Sequence, residues 1–327
     1  MKERILVTGG TGYIGSHTVV ELQNSGYEVV IVDNLSNSRA DVVDHIEQIT
    51  GIRPAFEHVD CLDYEGMDAV FKKYPGIKGV IHFAASKAVG ESVQKPLLYY
   101  RNNLVSLINL LELMPKHNVG GIIFSSSCTV YGQPDVLPVT EAAPIKKAES
   151  PYGNTKQVNE EIVRDTVASG APINAILLRY FNPIGAHPSA LIGELPNGVP
   201  QNLVPYVTQT AMGIREKLSV FGDDYDTPDG SCIRDYIYVV DLAKAHVIAM
   251  KRILEGKQKD KVEVFNLGTG RGLSVLELVH SFEEATGVKL NWKYGPRREG
   301  DIEKIWGDCT KANKVLGWKA ETKLEDV

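Results

Sequence analysis

The fold of this sequence is decided by the stretch Arg4-Ile5-Leu6-Val7-Thr8-Gly9-Gly10-Thr11-Gly12-Tyr13-Ile14-Gly15. The apolar run at its start predicts a buried strand, and the residues after it predict a helix over 16–25 that Gly26 ends. Gly9, Gly12 and Gly15 allow a tight turn, a close approach to a pyrophosphate and packing of helix on strand. The first N–H groups of the helix favour an anion. The stretch therefore predicts a dinucleotide site, with a glycine loop that serves only packing as the alternative.

A carboxylate stands where a dinucleotide site needs one. Residues 28–32 predict the second strand, and Asp33 follows it at the distance expected for binding an adenosine ribose diol. Asp33 would also repel a 2′-phosphate. The sequence thus favours NAD over NADP, although Arg39 nearby leaves NADP open.

Strands and helices then alternate, which predicts an α/β fold with a doubly wound parallel (Rossmann) sheet. Helices are expected over 38–49, 63–74, 96–117 and 150–169, and strands over 54–59, 79–83, 121–125 and 173–181. Ligands bind such sheets at the carboxyl ends of the strands. Candidate cofactor residues at those ends are Asp60, Phe83, Ala84, Ala85 and Ser125. Ala84 and Ala85 would let a cofactor pass close to the backbone, or would serve helix packing.

A second stretch, Ser150-Pro151-Tyr152-Gly153-Asn154-Thr155-Lys156, carries the chemistry. Ser150 suits a helix N-cap and Pro151 the first helical position. Tyr152 and Lys156 would share one helix face, where an ammonium group lowers the pKa of a phenol and makes it a base. Without that context Tyr152 would be an ordinary surface tyrosine.

The spacing has a control in the same chain. Tyr74 and Lys78 are also four residues apart, but Pro75 and Gly76 between them make a helix there unlikely to form. Ser127, at the end of the fifth strand, could bond a substrate hydroxyl beside Tyr152, or be a common strand-end serine.

Turn-forming residues follow Phe181 and predict a change of domain. We expect an NAD-binding domain over 1–181, with 235–262 returning to it, and a smaller α+β substrate lobe over 182–234 and 263–327. In that lobe Arg234 and the turn Arg297-Arg298-Glu299-Gly300-Asp301 are either solvated surface or a fork for a diphosphate. His187 is expected to be a loop residue, not a metal ligand. Capping boxes are expected at 274–277 and 322–325; the second, close to the end of the chain, suggests a lost terminal helix.

Composition limits the classes of function. The 327 residues are 43% hydrophobic, with a formal net charge of −6, and the basic residues are scattered. This pattern excludes a nucleic-acid partner. The four cysteines, Cys61, Cys128, Cys232 and Cys309, lack the spacing of a zinc site or a disulfide framework. Without a signal peptide or a membrane-spanning run, a cytoplasmic protein that holds no metal is expected.

Taken together, these motifs resemble the extended short-chain dehydrogenase/reductase family and, within it, the nucleotide-sugar 4-epimerases. The resemblance covers essentially the whole chain through the segments Thr8 to Gly15, Asp33-Asn34, His82 to Lys87, Gly90-Glu91-Ser92, Ser125 to Gly132, Tyr152 to Lys156, Arg179 to His187, Arg234-Asp235-Tyr236 and Pro296 to Asp301.

The resemblance assigns roles by position. It implies that Tyr152 is the general base or acid at the sugar 4-hydroxyl, that Lys156 lowers its pKa and holds the nicotinamide ribose, and that Ser127 bonds the same hydroxyl. Further NAD positions are Tyr13, Ile14, Asp33, Asn34, Asn37, Ser38, Asp60, Cys61, Phe83, Lys87, Asn102 and Tyr180. The positions that would hold a UDP-sugar are Asn182, Asn202, Leu203, Phe221, Arg234, Arg298 and Asp301.

The implied reaction interconverts UDP-galactose and UDP-glucose. Tyr152 would take the hydroxyl proton as hydride passes from C4 to NAD, and the 4-keto sugar would then turn and receive the hydride on its other face. One alternative is a nucleotide-sugar 4,6-dehydratase, but Ser127-Cys128-Thr129 stands where such enzymes carry Thr-Asp-Glu. Another is a non-catalytic NAD-sensing protein, which the intact Ser127, Tyr152 and Lys156 argue against.

Two finer expectations also come from the resemblance. The family gates its sugar range four residues past Asp301, where this chain has Ile305, a β-branched residue that predicts poor activity on N-acetylated sugars. Family members are homodimers joined through the helices near 96–117 and 151–169, so a homodimer is expected.

Overall fold

The computed structural model describes residues 2–327; residue 1, which the first predicted domain includes, lies outside the described residues. The strands are β1 Arg4–Thr8, β2 Glu28–Asp33, β3 Ala55–His58, β4 Ile77–His82, β5 Gly121–Ser125, β6 Asn174–Tyr180, β7 Asn182–Ile184, β8 Leu218–Phe221, β9 Ile233–Arg234, β10 Tyr236–Tyr238, β11 Val262–Leu267, β12 Leu273–Ser274, β13 Trp292–Gly295 and β14 Lys304–Ile305. The helices are α1 Tyr13–Asn24, α2 Val42–Thr50, α3 Tyr64–Lys73, α4 Val89–Gln94, α5 Pro96–Lys116, α6 Pro151–Ala168, α7 Leu203–Ala211, α8 Val239–Leu254 and α9 Val275–Thr286.

A parallel sheet of seven strands forms the centre of the fold, in the order β11-β6-β5-β4-β1-β2-β3. The chain moves outward from β1 to β3 and then crosses to β4 on the other side of β1. The carboxyl ends of β1 and β4 therefore border the crevice where doubly wound sheets bind ligands. The predicted α/β, doubly wound parallel fold is confirmed.

Side chains alternate between two cores, one on each face of the sheet. In β1, Ile5 and Val7 are buried in the core that includes residues of α1 and α8, whereas Leu6 is buried in the core that includes residues of α3, α5 and α6. Burial on both faces explains why the strands are continuous apolar runs. The helices thus cover both faces of the inner strands, whereas the edge strand β3 is only partly buried.

Smaller sheets build the rest of the molecule: β7 with β10, β8 with β13, and β9 between β12 and β14. Strand β11 pairs in parallel with β6 from Val262 to Leu267, so it is the seventh strand of the central sheet. The segment that was expected to return to the NAD-binding domain over 235–262 therefore extends to Leu267. The division into two lobes otherwise stays a prediction.

Three local features differ from the sequence prediction, each for a physical reason. Helix α2 begins at Val42, not at 38, because Asp33 accepts hydrogen bonds from Leu35 N and from Ser38 Oγ and holds that segment as a loop. The expected capping box at 322–325 is replaced by a 3-10 turn over Leu324–Asp326, and Thr322 N instead donates to Asp241 Oδ2 at 3.0 Å.

The third concerns α4, which was not predicted because it has six residues and contains Gly90. Ser92 Oγ donates to Val89 O at 2.6 Å, and Lys95 Nζ donates to Glu91 Oε1 at 3.0 Å. Side-chain bonds of this kind hold a short turn that periodicity cannot reveal.

Over residues 2–327, no helix has the length and apolar character needed to cross a membrane.

Candidate active site

The glycine turn between β1 and α1 is built as the sequence predicts. Gly9 adopts φ +72° and its N–H donates to Val32 O at 2.8 Å. A Cβ on Gly15 would lie 2.1 Å from Gly9 O, and one on Gly9 would lie 2.8 Å from Ala84 N. No side chain caps the start of α1 after Gly12, so its first N–H groups face the crevice without a side-chain partner. A larger side chain at these positions would close the space that a pyrophosphate needs.

Asp33 lies at the carboxyl end of β2 and organises the loop after it. Its Oδ1 accepts from Leu35 N at 2.9 Å and Ser38 Oγ at 3.0 Å, and its Oδ2 accepts from Thr11 N at 3.2 Å. Asn34 Nδ2 donates to Asp60 Oδ2 at 2.9 Å. Four predicted cofactor residues, Asp33, Asn34, Ser38 and Asp60, are therefore brought together.

The remaining predicted residues of this region are placed differently. Asn37 is exposed on the same loop, and Cys61 is buried beneath it. Arg39, which left NADP open, is exposed and paired with Asp41 rather than directed at Asp33. Among residues 2–327 no cation is paired with the Asp33 carboxylate, which favours a ribose diol over a 2′-phosphate.

The end of β4 brings small residues against the glycine turn. Ala84 provides the backbone atoms nearest to Gly9, so its size serves close packing of the two loops. The Phe83 ring lies 4.8 Å from that of His246. Ser86 follows the predicted Ala85 in this loop, and Asn102 Nδ2 donates to Ser86 Oγ at 3.1 Å.

Helix α6 presents the predicted base. Ser150 caps it, its Oγ accepting from Gly153 N at 3.1 Å, and Pro151 occupies the first turn. Lys156 is buried, with Nζ donating to Ser125 O at 2.7 Å and lying 5.8 Å from the centroid of the Tyr152 ring. Ser127 is buried next to this pair, and its Oγ accepts from Thr129 N at 3.2 Å.

Burial dominates the electrostatics of this pair. It raises the pKa of Tyr152 well above its usual value, and the nearby Tyr180 raises it further, whereas a hydrogen bond with Ser127 lowers it. Burial also lowers the pKa of Lys156 to about 8, against the opposing effect of Glu160. Lys156 Nζ lies 5.8 Å from the centroid of the Tyr152 ring, and the lowering of the Tyr152 pKa by Lys156 stays a prediction.

Tyr180 completes this end of the sheet. Its hydroxyl is hydrogen-bonded to Ser125 Oγ. Predicted cofactor residues from β5, β6 and α6 therefore meet at one point: Ser125, Tyr152, Lys156 and Tyr180.

A guanidinium pair comes from the chain's other half, and its Arg234 is near enough to Cys128, the residue after Ser127, to lower the pKa of that thiol. Arg298 donates to both oxygens of Asp301, at 2.6 and 3.1 Å, and Arg234 Nη2 lies 3.9 Å from the same carboxylate. Arg298 also lies 5.7 Å from the Phe221 ring centroid. Ile305 of β14 is paired with Arg234 of β9. The structure thus groups Phe221, Arg234, Arg298, Asp301 and Ile305.

The charged turn at 297–301 is therefore neither entirely solvated surface nor a fork made by its two adjacent arginines. Arg297 is turned outward to Asp224, as solvated surface would be, while Arg298 is half-buried against Asp301. The structure thus brings Arg298 together with Arg234 rather than with Arg297, and the diphosphate fork stays a prediction.

The other predicted sugar-nucleotide residues lie at element ends. Asn182 starts β7, and Asn202 directly precedes Leu203, the first residue of α7. Asn202 Nδ2 donates to Glu194 Oε1 at 2.5 Å, and Lys87 Nζ donates to the same oxygen at 2.9 Å. Tyr13 lies beside this group, with Lys87 Nζ 5.9 Å from its ring, and Ile14 packs on the core.

Sequence reasoning missed two carboxylates of this region, Glu194 and Glu160. Glu194 joins a predicted cofactor residue, Lys87, to a predicted substrate residue, Asn202, but it lies in a turn-rich segment without periodicity. Glu160 carried a readable signal, because it follows Lys156 by four residues on the same helix face. His187, expected in a loop, bonds Ser189 Oγ at 2.9 Å.

The glycine turn, the carboxylate after β2 and the Ser127, Tyr152 and Lys156 cluster define an extended short-chain dehydrogenase/reductase. A family model described as GDP-mannose 4,6 dehydratase matches residues 6–327. The UDP-glucose 4-epimerase of Bacillus subtilis (strain 168) is 52% identical over 323 residues, covering 99% of this chain and 94% of the relative. The Homo sapiens UDP-glucose 4-epimerase is 49% identical over 331 residues, with 99% and 94% covered.

Solved structures agree. The UDP-glucose 4-epimerase of Bifidobacterium longum, crystallised in complex with NAD+ and UDP, has a TM-score of 0.95 at 50% identity, covering 99% of this chain and 95% of that one. That of Stenotrophomonas maltophila, with bound NAD and formylated UDP-arabinopyranose, has a TM-score of 0.94 at 48% identity over 99% and 95% of the chains. The chain belongs to the UDP-glucose 4-epimerase family.

Proposed function

We propose that this protein is an NAD-dependent isomerase that interconverts UDP-galactose and UDP-glucose by transient oxidation at C4 of the sugar. The observation that carries the proposal is the meeting of Ser127, Tyr152 and Lys156 at the carboxyl ends of the sheet, with Arg234 close to the adjacent Cys128 and paired with Arg298 through Asp301. A base for an alcohol and two guanidinium groups for a diphosphate are the two features that such a reaction requires.

The residues fit NAD. The start of α1 has no side-chain cap, and the Asp33 carboxylate at the next strand end accepts only uncharged donors, the partners a ribose diol could replace or join. When bound, NAD supplies a nicotinamide ring that accepts hydride from C4 and returns it. The Asp33 loop, the glycine turn and Lys87 would hold the cofactor, and Lys156 and Tyr180 would border its reactive end.

Tyr152 would take the proton from the 4-hydroxyl and later return one. Ser127 already lowers the pKa of the phenol through a hydrogen bond, and it would bond the same substrate hydroxyl. Lys156 holds its ammonium group against the Ser125 carbonyl, so its charge stays at a fixed place beside the base. The site thus keeps water away from the proton transfer and holds both partners in register.

Inversion at C4 needs the 4-keto sugar to present its other face while the nucleotide stays bound. Arg234 and Arg298 share one carboxylate, Asp301, which fixes both guanidinium groups at the edge of the site. Guanidinium groups held in this way bind a diphosphate tightly through charge-assisted bonds. The hexose, held more loosely, would then be free to turn.

A 4,6-dehydratase is the weaker alternative, although the family model carries that description. Elimination needs an acid and a base beyond the tyrosine, and this chain has Cys128 and Thr129 at those positions. Burial raises the pKa of Cys128 to about 12, so its thiol stays protonated and is a poor base. Glu160, the carboxylate nearest along α6, is fully used by Arg179 and Ser126.

A conversion assay tests the proposal. Purified protein incubated with UDP-galactose should produce UDP-glucose without release of a 4-keto-6-deoxy sugar and without added reductant. Protein that contains NAD but exchanges neither sugar would support the NAD-sensing alternative, and accumulation of the deoxy product would support the dehydratase.

We also propose a homodimer joined through α5 and α6, as is expected from the resemblance. Leu97 and Leu98 are 81% and 49% exposed at the start of α5, and such apolar exposure is usual where a surface is covered by a partner. Light scattering after size exclusion should give twice the mass of 35.9 kDa. Charged residues at Leu97 and Leu98 should shift the protein towards half that size.

A cytoplasmic location is proposed on the state of the cysteines. Among residues 2–327 all four are free thiols, and all four are buried. Free thiols persist in reducing compartments.

A further inference from the structure

Glu160 lies one helical turn after Lys156 and two turns after Tyr152 on α6. Its side chain is only 6% exposed. Arg179 of β6 donates to both carboxylate oxygens, at 2.8 and 2.6 Å, and Ser126 Oγ donates to Oε1 at 2.6 Å. One buried carboxylate therefore joins α6 to the ends of β5 and β6.

Two side chains of α6 bind the consecutive residues Ser125 and Ser126 at the end of β5. Lys156 Nζ binds the carbonyl of Ser125, and Glu160 binds the hydroxyl of Ser126. The next residue is Ser127, which is near enough to Tyr152 of the same helix α6 to lower the pKa of its phenol. The distance between Ser127 and Tyr152 is consequently fixed by contacts that include Glu160.

Charge supplies a second link. Lys156 is buried, and Glu160 is the group that opposes the lowering of its pKa. Arg179, equally buried, is neutralised by the same carboxylate. Loss of the negative charge would remove the favourable charge that acts on Lys156 and would leave the buried Arg179, bonded to the same carboxylate, without its counter-charge. Like charges disfavour each other's charged forms.

We propose that Glu160 is a positioning residue of this active site, which fixes Ser127 against Tyr152 through Ser126 and keeps Lys156 charged by neutralising Arg179. The inference rests on the proposed function, because it concerns the base that function uses.

Other ionisable groups of several elements face this part of α6. His82 of β4 interacts with Lys156 itself, and Tyr99 of α5, Cys128 of the 3-10 turn after β5 and Tyr180 of β6 act on Tyr152. Glu91 of α4 is bonded to Tyr99, Tyr131 of the same 3-10 turn is bonded to Arg179, and Arg164 of α6 lies 3.8 Å from Glu160. Burial keeps His82 neutral, with its pKa lowered to about 3, and keeps Cys128 protonated. Glu160 and Arg179 are therefore the fully buried charges that a substitution can alter next to Lys156.

The experiment compares Glu160→Gln with Glu263→Gln. Glu263 forms the same kind of pair with Arg252, at 2.7 and 2.9 Å, with side chains 7% and 10% exposed, but it joins α8 to β11 away from the site. Two readouts are followed against pH: turnover of UDP-galactose, and the side-chain carbon NMR signal of Lys156, assigned by its loss in Lys156→Met.

For Glu160→Gln we expect the alkaline limb of kcat and the Lys156 titration to move to lower pH by about one unit or more, the effect of one uncompensated neighbouring charge. KM for UDP-galactose should change little, because Glu160 does not touch substrate. Glu263→Gln should titrate as wild type. A Glu160→Gln protein that titrates as wild type, or an equal shift in Glu263→Gln, overturns the proposal.

Glu160→Met with Arg179→Met removes both charges and replaces a buried pair with apolar side chains, a change that folded proteins often tolerate. The Lys156 titration should return towards wild type, while kcat stays at least tenfold low because Ser126 has lost its acceptor. Full kcat in this double variant overturns the positioning role. Tyr152→Phe, measured in parallel, distinguishes failure of the positioning role of Glu160 from failure of the proposed function. Undiminished turnover in Tyr152→Phe contradicts the proposed function itself.

Discussion

A tyrosine can take a proton only as its phenolate, so the anion must gain stabilising partners at the moment of reaction. Burial opposes ionisation of Tyr152, as do Tyr180, Cys128 and Tyr99, whereas Ser127 favours it. The ammonium group of Lys156 is positioned by Ser125, next to where a substrate alcohol would bind. Tyr152 is therefore positioned to act as a base, and it becomes one only when cofactor and substrate are bound.

Replacing Tyr152 with Phe should leave NAD bound and lower kcat by about 10²- to 10⁴-fold, the usual contribution of general acid–base catalysis. The measurement is steady-state conversion of UDP-galactose, with NAD content determined on the same sample. Tyr74→Phe is the matched control, because Tyr74 has a lysine four residues later but donates to Glu57 at 2.6 Å, outside the site. A loss of less than tenfold would remove Tyr152 from its role.

Ile305 gives a prediction about sugar range. Its side chain is 1% exposed and packs with Val130, Phe181 and Ile302 beside Arg234. Branched bulk at this position should leave little room for an N-acetyl group, so kcat/KM for UDP-GlcNAc should lie well below that for UDP-glucose. Ile305→Ala should narrow the difference in kcat/KM between the two sugars. Ile302→Ala, which removes the same volume from the same cluster, should leave that difference unchanged. Equal rates on the two sugars in the unaltered protein would contradict the prediction.

At the scale of elements, the turn from β1 into α1 depends on missing side chains. Gly15 has no room for one: a Cβ there would lie 2.1 Å from Gly9 O and 2.9 Å from Gly10 Cα, both backbone atoms that cannot move aside cheaply. The helix would have to shift away from the strand. Such a shift would alter the N–H groups that face the crevice.

Gly15→Ala should therefore lower the free energy of unfolding by about 1–3 kcal/mol, as overpacking does, and should weaken NAD binding. Urea unfolding and NAD content of the purified protein measure the two effects. Gly120→Ala is the control, because a Cβ there would meet Pro172 O at an ordinary 3.6 Å. Retention of both stability and NAD in Gly15→Ala would show that the close approach is not required.

Elements defined by local chemistry were predictable. Ser150 and Pro151 place the start of α6, and Ser274 with Glu277 forms the predicted capping box of α9. The predictions that failed were those that depended on contacts from outside the segment concerned. The delayed start of α2 follows from Asp33, and the unformed cap at Thr322 follows from Asp241, and no pattern within either segment records these contacts.

In the candidate site, too, some residues could be predicted from local sequence and others depend on contacts between distant segments. Tyr152 and Lys156 could be read from spacing, whereas the pairing of Arg298 with Asp301 beside Arg234 depends on how β9 and β14 meet. Glu194 could not be found at all, since its partner Lys87 is 107 residues away in the sequence and the segment that joins Glu194 to Asn202 has no periodicity.

For the whole molecule, three buried histidines couple stability to pH. His17 of α1, His82 of β4 and His246 of α8 are 1%, 3% and 0% exposed. Each ring has one hydrogen bond through Nδ1, to Tyr13 O, Thr8 Oγ1 and Leu242 O respectively. Burial lowers their pKa values to about 4, 3 and 4, so all three are neutral in the folded protein near pH 7.

Acid should therefore unfold this protein earlier than carboxylates alone would. Between the folded values and the unfolded value near ~6.5, the unfolded chain binds more protons, so stability is complete above that pH and falls below it by up to about 1.4 kcal/mol per unit for each histidine. Urea unfolding at stepped pH from 7.5 to 4.5 measures the slope. His246→Gln should reduce it by about a third, whereas His280→Gln, an exposed histidine on α9, should not. An unchanged slope in His246→Gln would mean that this ring is already charged in the fold, which its apolar surroundings against Phe83 make costly.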